Sequence, residues 1–223
     1  MTRRLIIVVL FGLIGAGILA GLGFWQLQRL SWKEGVLAEI DTRITAAPVA
    51  IPGDPDPEAD RYLPVSAEGA FVGDPVRVLV SLQGSGPGYR LIQAFDLGER
   101  RVMVDRGFLA ERAEAPDLAG PALVIGNLHW PDEVDGFTPD ADLGRNIWYA
   151  RDVDALAAHL GADPILIIAR SLSVDDSPVT PLPVSSDGIP NNHLGYAVQW
   201  FGLALVWLGM TAFLGWRITR RTA

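Results

Sequence analysis

Apolar residues crowd the two ends of this chain, and between them the pattern shortens to alternations. Leu5 to Gln28 carries no charged residue, and neither does Leu194 to Trp216. Each run is long enough to span a hydrocarbon core about 30 Å thick at about 1.5 Å rise per residue. The pattern predicts transmembrane helices over residues 5–28 and 191–216, short tails at 1–4 and 217–223, and one domain over 29–190 between them.

The intervening segment changes period twice. Val36, Leu37 and Ile40 recur at helical spacing beside charged positions, which predicts a short amphipathic helix over 32–41. Pro48 and the stretch Pro52 to Pro57 end it and read as a linker. From Tyr62 onward, β-branched or alternating runs predict strands at Val76–Leu82, Tyr89–Leu97, Arg101–Leu109, Leu123–Trp130 and Pro164–Ser173. Gly84 to Gly88 and Leu97 to Arg100 predict hairpin turns; no Gly-Lys-Ser/Thr follows the glycine cluster, so a phosphate loop is the poorer reading. A second helix is predicted over Val153–Leu160, with Asp152 as N-cap and Gly161 as stop. Residues 164–170 are apolar on both faces and read as a central strand, and 171–190 as an irregular connector. The fold class expected is therefore an α+β membrane protein, with two terminal helices around a mostly antiparallel, barrel- or sandwich-like β domain carrying one or two helices.

Charge orients this layout. Arg3, Arg4, Arg217, Arg220 and Arg221 fill the tails, which hold no acidic residue. The positive-inside rule then places both termini in the cytoplasm and the domain outside it. That middle part holds 13 basic and all 26 acidic residues, a formal charge of −13, which disfavours nucleic acid and anionic lipid as partners. The first apolar run exceeds the 7–15 residues of a signal h-region, so an uncleaved anchor is expected over a cleaved signal. Nothing before Leu5 resembles a transit peptide, and a bacterial inner membrane, with the domain in the periplasm, is the simplest home. The absence of cysteine excludes disulfides, thiolate metal sites and Cys-x-x-Cys redox chemistry.

Catalytic constellations are thin, and no enzyme is expected. There is no Gly-x-Ser-x-Gly, and the acidic cluster Asp132, Glu133, Asp135 matches no EF-hand spacing. His159 reads as a solvated helix residue and His129 as a half-buried strand residue. His193 differs, because it stands where the second apolar run begins: it is either a wet interfacial residue beside Asn191 and Asn192 or a ligand for a metal or macrocycle. At helical spacing Tyr196, Trp200 and Trp207 share one face, and His193, Ala197, Phe201 and Ala204 a neighbouring one, leaving room and aromatic surface for a flat ligand. Gly17 and Gly21 form a small-xxx-small motif suited to close helix approach, to this chain's second helix or to a partner's, with Gly12 and Ala16 on an adjacent strip. Asp105-Arg106-Gly107-Phe108 reads either as a ligand or partner contact or as an Asp–Arg pair with a glycine where the strand bends.

Asn191-Asn192-His193-Leu194, Tyr196-Ala197 and Trp200 to Ala204 resemble the C-terminal signature of the Surfeit locus protein 1 family. Gly23 to Arg29 with Trp32-Lys33, Gly69-x-Phe71, Gly88-Tyr89, Val104 to Phe108 and Asn146 to Asp152 extend the resemblance over nearly the whole length, in order. Asp105 stands where that family usually has asparagine, and Phe108 and Ala110 replace its tryptophan and proline. The resemblance implies an assembly factor for haem-copper terminal oxidases that binds haem a transiently and aids its insertion into oxidase subunit I. It implies haem a synthase and other oxidase assembly factors as further partners. On the residues it implies His193 as axial ligand to haem iron, Tyr196, Ala197 and Trp200 as its packing surface, and Asn191, Asn192, Arg106, Gly107, Gly17 and Gly21 as partner contacts. The alternative is a haem-independent scaffold that stabilises assembly intermediates; an extracytoplasmic sensor fits less well, since the tails are short.

Overall fold

The computed structural model of the chain describes residues 3–118, 120–186 and 189–222, with the side chains of 221 and 222 left aside. The chain divides into two compact units, Met1–Ile40 with Ser186–Ala223, and Asp41–Ser185.

The first unit is a helix pair. Helix α1 runs unbroken over Arg3–Ile44, so the expected anchor and the expected amphipathic helix are one element of 42 residues, about 63 Å long at the usual rise. The reason is local: no proline interrupts residues 28–44, the one glycine, Gly35, costs only about 1 kcal/mol, and the guanidinium of Arg29 lies 3.9 Å over the Trp32 ring. Helix α3 spans His193–Thr222. The less exposed positions of α1, among them Gly12, Ala16, Gly23, Gln26 and Leu30, recur every three or four residues. Those of α3, His193, Ala197, Phe201, Ala204, Trp207 and Thr211, do the same. That 3.5 period is the seam of two helices wound about each other, and its contacts run antiparallel. A Cβ placed on Gly12 would strike Thr211, one on Gly15 would strike Trp207, and one on Gly23 would lie 2.8 Å from the Phe201 ring. Trp207 Nε1 donates to Gly12 O at 3.1 Å.

Of the two contacts expected of Gly17 and Gly21, the one to this chain's second helix is not made, which leaves a partner's helix as the expected one. Gly17 and Gly21 have open space around them, and α3 packs on the strip through Gly12, Gly15–Ala16 and Gly23 instead. That strip carries Gly12, Gly15, Ala16 and Gly23, small residues that admit Thr211, Trp207 and Phe201, whereas bulky Ile14 and Phe24 stand one turn either side of Gly17 and Gly21.

The second unit is a mixed sheet closed on itself. Its strands are β1 (Val49–Ala50), β2 (Pro64–Leu82), β3 (Gly86–Asp96), β4 (Arg101–Ala110), β5 (Pro121–Leu128), β6 (Ile147–Trp148) and β7 (Leu166–Leu172), with helix α2 over Val153–Leu160. The path β2-β3-β4-β7-β5 returns to β2, because the first half of β2 pairs with β5 while its second half pairs with β3. The irregularity between Val72 and Val76, with Gly73 at φ +68, bends β2 between those two roles. The predicted hairpins and the predicted helix appear. The sheet is mostly antiparallel, as expected, with β2–β3, β2–β5, β3–β4 and β5–β7 all antiparallel; the short parallel pairings β1–β2, β2–β6 and β4–β7 make it mixed. The parallel pairing puts β7 between β4 and β5, buried on both faces as its sequence implies.

Successive residues of β7 feed two cores. Ile167 and Ala169 join Val65, Phe95, Val104 and Val124 in the interior of the closed sheet. Leu166 and Ile168 join Ile92, Met103, Trp148, Val153 and Leu156 beneath α2, on the outside. Asp152 caps α2 by accepting from Ala155 N at 3.1 Å, and Gly161 ends it in the left-handed region at φ 63.

Candidate functional site

His193 is the first residue of α3, on the seam with α1. Its Nδ1 lies 2.7 Å from Oε1 of Gln26, a buried amide on α1, and its Nε2 has no hydrogen-bond partner among the described residues. Two neighbouring contacts fix this pairing: Phe201 fills the notch left by Gly23 and meets Phe24 edge-on at 5.2 Å, and Lys33 Nζ donates to Pro190 O just before α3 begins. A neutral imidazole with one nitrogen held and the other uncommitted can accept a proton or donate to a metal.

The remaining residues of the predicted signature separate onto two faces. Ala197 lies between the Gln26–His193 and Gly23–Phe201 contacts and is 1% exposed, so the room foreseen beside His193 is already filled along the seam. Trp200 is half-buried, whereas Tyr196 is 52% exposed. Asn191, Asn192, Gly195, Tyr196 and Gln199 line an open cavity of about 410 Å³, which His193 does not line.

The structure moves Arg106 and Gly107 from surface to core. Arg106 is 1% exposed and donates to Asp176, to Gln93 Oε1 at 2.7 Å and to Pro116 O at 3.0 Å. Register explains this: Leu91 pairs with Gly107 and Ile92 with Asp105, so Arg106 is the extra residue of a β-bulge and is turned inward. Gly107, at φ +124, has no space for a Cβ, which would meet the carbonyl of Thr180 and lie 2.7 Å from Pro181 Cα. Both residues are thus committed to contacts within the sheet unit. The alternative reading, an Asp–Arg pair with a glycine at a bend, holds in kind but not in partners. Asp105, wholly buried, pairs with Arg90 at 2.6 Å and Arg151 at 3.6 Å.

Arg151 ties that centre to the acidic loop through Glu133. Burial alone would raise the Glu133 carboxyl, but the hydrogen bonds and charge of Arg151 hold it below the usual carboxylate range. Beside them His129 stacks on Tyr62 at 5.0 Å, and burial, helped by the charges of Arg151 and Arg61, pushes its imidazole down to about 4. His159 is exposed, edge-on to Trp148. Among the described residues no three His, Asp or Glu side chains converge as a metal site. A cavity of about 800 Å³ between Asp74, Arg77, Gln93, Arg112 and Asn146 takes in none of the signature residues at the start of α3.

Sequence reasoning passed over Gln26 as a site residue. The signal was present: an amide near the end of an apolar run, three residues after the glycine that admits Phe201. Asp176, by contrast, lies in an aperiodic connector that gave no cue.

Known proteins resemble the chain along most of its length. Residues 13–205 match the SURF1 family. Surfeit locus protein 1 of Rattus norvegicus is 31% identical over 91% of this chain and 72% of its own length. The Homo sapiens protein of that name is 32% identical over 82% of this chain and 69% of its own. A SURF1-like protein of Drosophila melanogaster is 28% identical over 88% and 72%. On this extent of likeness the chain belongs to the SURF1 family.

Proposed function

We propose that the chain is a membrane-anchored, non-enzymatic assembly factor for a haem-copper terminal oxidase, which binds haem a transiently at His193 and aids its insertion into oxidase subunit I. Both helices are long and apolar enough to cross a bilayer. Away from the seam their surface is apolar, with Ile7, Ile14, Ile18, Leu205, Met210 and Phe213 each more than half exposed. Such a surface is stable in lipid and not in water. The arginine-bearing tails support a reading in which both termini lie in the cytoplasm of a bacterial inner membrane and the sheet unit in the periplasm. The relatives named above are animal proteins, so that placement rests on this chain's own charge pattern.

The observation that carries the haem reading is the His193 imidazole, held at Nδ1 and uncommitted at Nε2. The residues fit the group in part. His193 would ligate the iron, Trp200 and the exposed Tyr196 would pack the macrocycle at the rim of the helix pair, and Ala197, buried on the seam, would support His193 from behind. Haem a, when bound, supplies an iron centre that takes a nitrogen ligand. The chain's own part is to bind, orient and release it. Haem a synthase and other assembly factors are proposed as neighbours in that handover, with Asn191 and Asn192 at the accessible rim.

A second reading has its own support. The filled seam beside Ala197 suits a scaffold that holds oxidase intermediates without haem. The test is to purify the protein from cells making haem a and compare visible spectra of wild type and His193→Ala. Loss of haem in the variant is expected; unchanged haem content overturns the ligand role, and a strain carrying His193→Ala with normal oxidase haem content favours the scaffold.

A further inference from the structure

An amide in the apolar seam of two membrane helices is costly unless paired, by several kcal/mol in hydrocarbon. Gln26 is such an amide, 9% exposed, and its Oε1 sits 2.7 Å from Nδ1 of His193. A carbonyl oxygen can only accept, so the proton of this bond must be on Nδ1. A neutral imidazole protonated at Nδ1 has its lone pair on Nε2, the nitrogen without a partner among the described residues. The other orientation, in which the amide NH₂ donates to Nδ1, would leave the proton on Nε2 and close that nitrogen to any metal.

We propose that Gln26 is the positioning residue of the His193 site: by accepting the Nδ1–H it fixes the tautomer, aims Nε2 away from the seam, and raises the basicity of the imidazole toward iron. This rests on the haem reading above and deepens it. The geometry around Gln26 suits the task. Gly23, one turn earlier on the same face of α1, lets Phe201 sink into the helix, which sets how closely α3 approaches. Lys33, two turns later, holds the carbonyl of Pro190 at the entry to α3. The amide thus stands between two fixed contacts. A metal-bound histidine commonly has its second nitrogen engaged by a carboxylate or carbonyl, and loss of that partner typically weakens metal binding by about 10- to 100-fold.

The test uses the full chain in lipid nanodiscs, with nitrogen-15 in its histidine rings. His129, His159 and His193 are its only histidines, and His193→Ala assigns the signals. In the haem-free protein near pH 8, His193 is expected as the Nδ1–H tautomer. In Gln26→Met, which keeps the bulk and removes the acceptor, it should revert to the Nε2–H form that free imidazole side chains prefer. With ferrous haem added, the iron–histidine stretching frequency in the resonance Raman spectrum should fall in Gln26→Met and rise above wild type in Gln26→Glu. Haem affinity should drop about 10- to 100-fold in the first and recover in the second. Crosslinking of Leu5→Cys to Gly215→Cys in the same backgrounds reports that the helix pair has formed, since Leu5 Cδ1 lies 3.5 Å from a Cβ built on Gly215.

A wild-type protein in the Nε2–H form overturns the proposal, as does a Gln26→Met protein with unchanged tautomer, stretching frequency and affinity. If His193→Ala loses haem while Gln26→Met keeps it with an unmoved spectrum, the Gln26 role alone is lost. If His193→Ala keeps its haem, the ligand reading falls and the role toward iron falls with it.

Discussion

Arg106 and Asp176, 70 residues apart in sequence, form a two-point ion pair inside the closed sheet, with Nε donating to Oδ2 at 3.0 Å and a second guanidinium nitrogen to Oδ1. The pair joins the bulge of β4 to the connector after β7, a segment with no periodic pattern of its own. The arginine has no surface to retreat to. Asp176→Ala is therefore expected to destabilise the sheet unit by about 3–5 kcal/mol, because it leaves a buried cation with only neutral acceptors. Asp176→Asn keeps one acceptor and should lose less. Urea midpoints followed by the β-sheet circular dichroism of the two variants check this order; a wild-type midpoint for Asp176→Ala would show that the pair does not hold the connector.

Gly107 and Gly98 separate backbone strain from steric blockage. Both have positive φ, +124 and +91, but only Gly107 is enclosed. Gly98→Ala should cost about 1–2 kcal/mol, the penalty for a side chain in the left-handed region. Gly107→Ala adds the clash with the carbonyl of Thr180 and should exceed about 3 kcal/mol, because a backbone carbonyl cannot yield as a flexible side chain can. Equal unfolding midpoints for the two variants would contradict the packing described for β4.

On the helix pair, glycines that look alike in sequence should behave differently. Gly12→Val and Gly23→Val put a side chain into the α1–α3 seam, whereas Gly17→Val and Gly21→Val extend into open space. The chain has no cysteine, so Leu5→Cys with Gly215→Cys gives a clean crosslink across the pair. Crosslinking should fall in the first two backgrounds and persist in the second two. Loss with Gly17→Val would show that the 17–21 strip, not the 12–23 strip, meets α3.

What sequence shows and what it hides follow from how far apart the deciding residues lie. Helix α2 was legible down to its ends, since cap, stripe and stop all lie within ten residues. The apolar run of β7 announced a strand covered on both faces. Closure of the sheet depends on β2 changing partners near Ala70, and nothing local says that residues 64–70 pair with 121–127. The Asp105–Arg106–Gly107 stretch was ambiguous for the same reason: its partners, Arg90, Arg151 and Asp176, come from three other segments. At the candidate site His193 stood out because a polar group at the start of an apolar run is rare. Gln26 did not, because its importance comes from a residue 167 positions away.

His129 gives the sheet unit a measurable acid sensitivity. Its ordinary value is 6.5, and burial with the charges of Arg151 and Arg61 lowers it in the folded chain to about 4, against a smaller upward pull from Glu133. Between these values the unfolded chain takes up a proton that the folded chain refuses. The contribution is therefore complete above pH 6.5, shrinks as pH falls, and is gone by about pH 4. Because the ring is partly open to water, the loss should be on the order of 2 kcal/mol rather than the full value of the shift. Glu133, whose carboxyl is lowered from 4.5, adds a second loss in the same direction at lower pH. His129→Gln should then flatten the dependence between pH 6.5 and about 5 and leave the steeper fall below it. Urea midpoints of wild type and variant across that range test the assignment, and parallel curves would move the acid sensitivity to another group.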